Sequence, residues 1–185
     1  IPHELYREEM GKLNFSLPNS GNYGVGMFFF PKDKAFGKLL EGEISALGKV
    51  MSEPTNPMLA IIGGAKVSSK LSILENMVEK VDKLMIGGGM TYTFILAQGG
   101  KVGSSLIEKE MVERAKIVIE KAALNSTEII LPEDSVCADQ FSANANFKLF
   151  NSDKINEGWM GLDIGPKASE RFAKAVTRIV ELKRT

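Results

Sequence analysis

The chain has 185 residues, 44% hydrophobic and 25% charged, which gives room for one full core, or one domain with an appendage, in an ordinary globular composition. Lysine plus arginine (23) balances aspartate plus glutamate (23), so no global field points to nucleic acid or an anionic membrane. One cysteine, Cys137, excludes an internal disulfide, and one histidine, His3 at the N-terminal end, excludes multi-histidine zinc sites and leaves little for a Ser-His-Asp site.

Residues 1 to 34 carry turn formers ("SLPNSGNYGVG") and a short aromatic run stopped by Pro31, with no clear element. From Ala35, the residues Phe36, Leu39, Leu40, Ile44 and Leu47 recur at helical spacing up to about Val50, and the prolines of "SEPTNP" end the helix. "MLAIIGG" is a short apolar run suited to a strand buried on both faces. Val67, Leu71, Leu74, Met77 (or Val78) and Val81 then make one helical stripe. "KLMIGGG" repeats the strand-then-glycine design, and "MTYTFILAQ" follows as a helix stopped by Gly99-Gly100. A longer helix is predicted from about Ile107 to Ala123, with Ile107, Met111, Ala115, Ile119 and Ala122 on one face. "EIILP" and "SVCAD" read as strands, "GWMGLDIGP" as a glycine-punctuated loop, and "ASERFAKAVTRIV" as a last helix from near Ala168. The alternation predicts an α/β domain with a mostly parallel sheet. Both glycine runs, 63–64 and 87–89, then fall at the carboxyl edge, where open sheets bind ligands.

No window fits a P-loop, and the run starting at Gly87 fails the dinucleotide fingerprint at Tyr92. What remains is physical: glycines admit close backbone approach, and a helix start offers N–H groups to anions. Lys66 and Lys70 share a helix face if the helix begins near Lys66. Spacing alone leaves two readings open, an anion cradle or a plain strand-to-helix turn with solvated lysines. Cys137 reads as a small buried hydrophobe, Trp159 as a core or pocket-rim residue, and Asp163 as a backbone cap more than a metal ligand.

"AIIGGAKVSSK", "LENMVEKVDKLMIGGGMTYTF", "GSSLIEKE", "IILPEDSVCADQFS" and "GWMGLDIGP", in this order and at these intervals, resemble the carboxyl-terminal, nucleotide-binding domain of phosphoglycerate kinase. The resemblance runs from about Gly24 to Val180. It implies a Rossmann-like three-layer fold, a parallel sheet with helices on both faces, incomplete relative to the family. The implied organisation is an unassigned segment 1–34, an interdomain-type helix 35–50 and a partial nucleotide-binding domain 51–185.

The implied activity is phosphoryl transfer between 1,3-bisphosphoglycerate and Mg-ADP, giving 3-phosphoglycerate and ATP in glycolysis. Gly64 and Ala65 would lie along the adenosine. Lys66 and Lys70 would hold the nucleotide phosphates and the transferring group, with Lys66 the catalytic residue. Gly88 and Gly89 would back the adenine, while Leu106, Phe141, Gly161 and Leu162 would complete an apolar slot. The cofactor would be ATP or ADP with Mg2+ bound through the nucleotide, with no metal ligand from this chain. Such catalysis needs positioning and charge neutralisation rather than a protein nucleophile.

The family's Arg-x-Asp-x-Asn segment and its basic phosphoglycerate patch have no match here; Arg7, Arg114, Arg171, Arg178 and Arg184 are scattered. Nor does the chain contain the family's Trp-Asn-Gly-Pro segment, its ribose-contacting Glu or its Gly-Gly-Gly-Asp helix start. The phosphoglycerate site is therefore missing, and the chain alone is expected to show no or vestigial turnover. An alternative is a non-catalytic adenine-nucleotide-binding or interaction module. Family members are usually monomeric, whereas an uncovered sheet edge predicts self-association of this chain. No nucleic-acid or membrane partner is expected, and a cytoplasmic location is the expectation from the single cysteine and the absence of a signal-type apolar region.

Overall fold

The computed structural model describes residues 37–52 and 56–182, with the side chains near 46–52 and 181–182 left aside. His3, Pro31 and Phe36 lie outside the described residues. The chain divides into two compact units, Ile1–Ala46 and Leu47–Thr185. Helix α1, Lys38–Ser52, runs through the division, and in the first unit Leu39 is 81% exposed.

The second unit alternates strand and helix at the start. β1 (Leu59–Gly63), α2 (Leu71–Met77), β2 (Lys83–Gly87), α3 (Met90–Ala97) and β3 (Lys101–Val102) are followed by a 3-10 turn (Lys109–Met111), α4 (Val112–Leu124) and β4 (Glu128–Ile130). β1, β2 and β4 form one parallel sheet in that order, with Leu59 opposite Lys83 and Lys83 opposite Glu128. The helical stripe is the core: Val67, Leu74 and Val78 pack with Leu84 and Ile86 of β2, Phe94 of α3, and Ala115, Val118 and Ala122 of α4. Met85, between Leu84 and Ile86, is also buried, so β2 is covered on both faces. β1, for which burial on both faces was expected, is an edge strand with Ile61 62% exposed.

The second half departs from the expected parallel pattern. β5 (Asp134–Ala138) sits at the centre of a separate antiparallel sheet, between β6 (Phe147–Asn151) and β8 (Met160–Ile164). The turn 139–146 is too short for a parallel crossover, so β6 returns antiparallel. β8 corrects the loop reading of "GWMGLDIGP": its glycines are tolerated because β5 supplies the ladder. β3 pairs with β7 (Lys154–Ile155), and α5 (Pro166–Leu182) closes the unit. Asp134, 5% exposed, accepts hydrogen bonds from the Lys167 and Ala168 N–H groups at the start of α5. Among the described residues, no helix is long and apolar enough to cross a membrane.

Candidate nucleotide site

β1 and β2 run in parallel register, with Gly63 opposite Gly87, so the two glycine runs leave the sheet side by side. They touch. Gly88 has φ +71°, and a Cβ there would stand 2.7 Å from the Gly64 carbonyl oxygen and 2.9 Å from its nitrogen. Backbone conformation and space both demand glycine. The Met90 N–H donates to the Gly64 carbonyl (2.9 Å), which fixes the start of α3 against the end of β1. A Cβ on Gly89 would meet Leu106 Cδ2 at 3.2 Å and the Ala65 carbonyl oxygen at 3.4 Å, so Ala65, Gly89 and Leu106 converge.

The lysines reach this edge by a different route from the one expected. α2 begins at Leu71, so Lys66 and Lys70 do not share a helix face. Residues 67–70 form a turn in which the Lys70 N–H donates to the Val67 carbonyl (2.9 Å) and the Ser69 hydroxyl to the Lys66 carbonyl (3.0 Å). Val67, fully buried, pins that turn to the core. The Lys70 stem lies over Gly64, its Cε 3.0 Å from where a Cβ would stand. Lys66 is exposed and Lys70 half-buried, and among the described residues neither joins an ion pair. The Met90 and Lys70 N–H groups are taken by the Gly64 and Val67 carbonyls. The Lys66 and Lys70 side chains bring positive charge to this edge.

A second set of bonds joins the loop after β3 to the segment leading into β8 and to the start of β8. The Ser104 N–H donates to the Trp159 carbonyl (2.8 Å), and the Ser105 hydroxyl accepts from the Gly161 N–H (2.9 Å). Gly161 has no room for a side chain, since a Cβ would fall 2.0 Å from the Tyr92 hydroxyl oxygen. Burial raises the Tyr92 phenol above its usual pKa, and its O–H donates to Ser135 Oγ (3.2 Å), itself bonded to Ser152 Oγ (2.7 Å). Cys137 pairs with Gly161 and Val136 with Asp163, which makes Leu162 the extra residue of a β-bulge. The bulge turns Leu162 outward, 48% exposed, and Leu106 is 55% exposed. Two apolar side chains thus stand on segments bonded to each other, and one of them, Leu106, lies against Gly89.

Phe141 is not drawn in by any such bond. It lies in the 139–146 turn, 86% exposed, and the turn's hydrogen bonds stay within the turn. Asp163 caps backbone as expected, accepting from the Ile164 N–H (2.8 Å). Trp159 packs on Phe150 (centroids 5.5 Å apart) with the Lys148 ammonium 4.9 Å from its ring centroid.

Glu108 meets the Lys66–Lys70 turn, a contact that the spacing did not reveal. Its carboxylate accepts from the Ser68 hydroxyl (2.6 Å) and the Ser68 N–H (3.0 Å), forty positions away in the chain. Its own N–H donates to Thr93 Oγ1 (3.1 Å), a buried group on α3. Desolvation would raise the Glu108 carboxyl, but the Ser68 hydroxyl, the Ser68 and Val67 N–H groups and nearby Lys66 together hold it below the ordinary glutamate range. A separate cavity of about 950 Å³, lined in part by Lys101, Glu133, Lys154 and Arg171, contains none of the predicted site residues.

The family profile described as phosphoglycerate kinase matches residues 19–181. The chain belongs to the phosphoglycerate kinase family. The phosphoglycerate kinase of Deinococcus radiodurans is 47% identical over 142 residues, covering 77% of this chain and 34% of that protein. That of Limosilactobacillus fermentum is 47% identical over 158 residues, covering 85% and 38%. Among solved structures, phosphoglycerate kinase from Coxiella burnetii matches with a TM-score of 0.70 and 40% identity, over 75% of this chain and 36% of that one. The enzyme from Pyrococcus horikoshii, at 22% identity and a TM-score of 0.63 over 77% and 36%, supports the Rossmann-like α/β fold alone. The chain spans about a third of the length of the curated phosphoglycerate kinases it matches.

Proposed function

We propose that this chain supplies the nucleotide side of a phosphoglycerate kinase site, in phosphoryl transfer between 1,3-bisphosphoglycerate and Mg-ADP. The observation that carries the reading is the closure of Gly88 on Gly64 at the carboxyl edge of the parallel sheet, beside the Lys66–Lys70 turn. Gly64, Ala65, Gly88 and Gly89 form a floor on which an adenosine can lie without side-chain obstruction. Leu106, Gly161 and Leu162 offer apolar contact to the base, and the exposed Phe141 is a further apolar side chain for it in this reading. Lys66 and Lys70 neutralise the phosphate charge, and Lys66, the more exposed, acts on the transferring group.

Among the described residues no three His, Cys, Asp or Glu side chains cluster to hold an ion. In this reading Mg2+ is a counter-ion carried on the nucleotide phosphates, where it would supply charge neutralisation. The chain alone binds nucleotide without appreciable turnover, because no basic phosphoglycerate patch is present in its sequence. A cytoplasmic location goes with this glycolytic reading.

The test is chemical unfolding with and without ADP. At about 100 times its Kd, a ligand of the folded state adds roughly 2.7 kcal/mol of stability. The wild-type chain should gain it and a Lys66→Ala, Lys70→Ala variant should not. No gain in either protein sinks the reading. Turnover at ordinary enzyme rates, on the order of 1–10³ s⁻¹, with both substrates would overturn the binding-only part.

A further inference from the structure

We infer that Glu108 is a positioning residue that locks the Lys66–Lys70 turn against the Leu106 loop, and so sets the distance between the phosphate and base ends of the nucleotide site. This rests on the nucleotide reading above. Three observations carry it. The Glu108 carboxylate grips Ser68 twice, at the hydroxyl (2.6 Å) and the N–H (3.0 Å), in the middle of the turn that carries both lysines. Its backbone N–H is held at 3.1 Å by Thr93, 1% exposed, so the clamp is rooted in buried α3 rather than in a loose loop. Glu108 also lies two residues beyond Leu106, whose Cδ2 stands 3.2 Å from the Cβ position of Gly89. One residue, through its carboxylate and its backbone, therefore ties together the lysine turn, α3 and the apolar wall.

The placement runs against simple electrostatics. A carboxylate beside Lys66 lowers the local positive potential and by its charge alone opposes an incoming phosphate. Its presence at this point is explained by geometry: ionised acceptors make the stronger hydrogen bonds, and a pair on one residue fixes orientation as well as distance. The two effects have opposite signs on nucleotide affinity, which makes them separable.

The experiment compares wild type, Glu108→Ala, Glu108→Gln and Ser68→Ala in the full chain by calorimetric titration of Mg-ADP. Amide hydrogen exchange of residues 64–70 is followed in the nucleotide-free proteins. Glu108→Ala should weaken ADP binding about tenfold and speed exchange in 64–70 by about the same factor. Glu108→Gln keeps an acceptor for the Ser68 N–H and should restore most of both, and Ser68→Ala should give a smaller loss of affinity. Tighter ADP binding in Glu108→Ala and Glu108→Gln alike would show that only charge matters and overturn the proposal. So would faster exchange with unchanged affinity, or no change in either. A wild-type chain that fails to bind ADP overturns the nucleotide reading and this role with it, while the exchange data still decide whether Glu108 holds the turn.

Discussion

Replacing Gly88 by alanine should be among the most damaging single-methyl changes in this chain, and its cost can be assembled from parts. At φ +71° an L-residue costs about 1–2 kcal/mol relative to its right-handed conformation. The added Cβ would also stand 2.7 Å from the Gly64 oxygen and 2.9 Å from its nitrogen. Gly64 is poorly able to yield, because its carbonyl accepts the Met90 N–H at 2.9 Å and its N–H faces the Gly87 carbonyl at 3.4 Å. Relieving the overlap means strain of about 1–3 kcal/mol or loss of a hydrogen bond worth about 1 kcal/mol. The total is about 2–5 kcal/mol, a large share of the 5–15 kcal/mol that typically separates folded from unfolded. Gly158→Ala is the control: its φ is +79°, but nothing lies within 4 Å of its Cβ position. It should cost only the conformational part. Gly87→Ala, with nothing within 4 Å and no positive φ, should cost least. Urea unfolding of the three variants measures the series. Equal destabilisation by Gly88→Ala and Gly158→Ala would refute the idea that close packing of two backbones makes this glycine obligatory.

Asp134→Ala removes the acceptor of two N–H groups at the start of α5 and should lower stability by about 2 kcal/mol in denaturant unfolding. Tyr92→Phe deletes the donor to Ser135 inside a buried hydroxyl chain and should cost about 1 kcal/mol by the same measurement. Cys137, whose thiol burial pushes up to about 11, should resist iodoacetamide at pH 8 in the folded chain and react once unfolded. Glu128 is held below the ordinary glutamate value of 4.5, first by its hydrogen bond to Lys83 and then by Arg171. A depressed carboxyl contributes stability above its unfolded pKa and loses it as pH falls through the folded value. Glu128→Gln should therefore flatten the stability profile below about pH 4.5, by less than about 1 kcal/mol because the group is partly solvated. A profile as steep as wild type would contradict the assignment.

The elements legible in the sequence are those whose burial repeats along the chain. Val67, Leu74, Val78 and Val81 lie on one stripe and are all buried, and the β2 run "KLMIG" is apolar on both faces because both are covered. In the second sheet the central strand β5 is legible as "SVCAD", whereas β6 is not, because its apolar side chains point outward: Phe147 and Leu149 are 76% and 57% exposed. β3 and β7 have two residues each, too short for any period. At the site, glycines and lysines were visible as types, but the four-residue interval between Lys66 and Lys70 marks a turn, not a helix. Ser69 there competes with the helix by bonding the Lys66 carbonyl. The Glu108 clamp leaves no local trace, since its partner lies forty positions away.

The most direct test of a nucleotide site at this sheet edge is a pair of amide-shift titrations of the isotope-labelled chain, one with adenosine and one with Mg-ADP. Adenosine should perturb Gly64, Ala65, Gly88, Gly89, Leu106 and Gly161. Mg-ADP should perturb the same amides and add Lys66, Ser69 and Lys70. Shifts confined to the cavity lined by Lys101 and Lys154, or identical patterns for the two ligands, would contradict it.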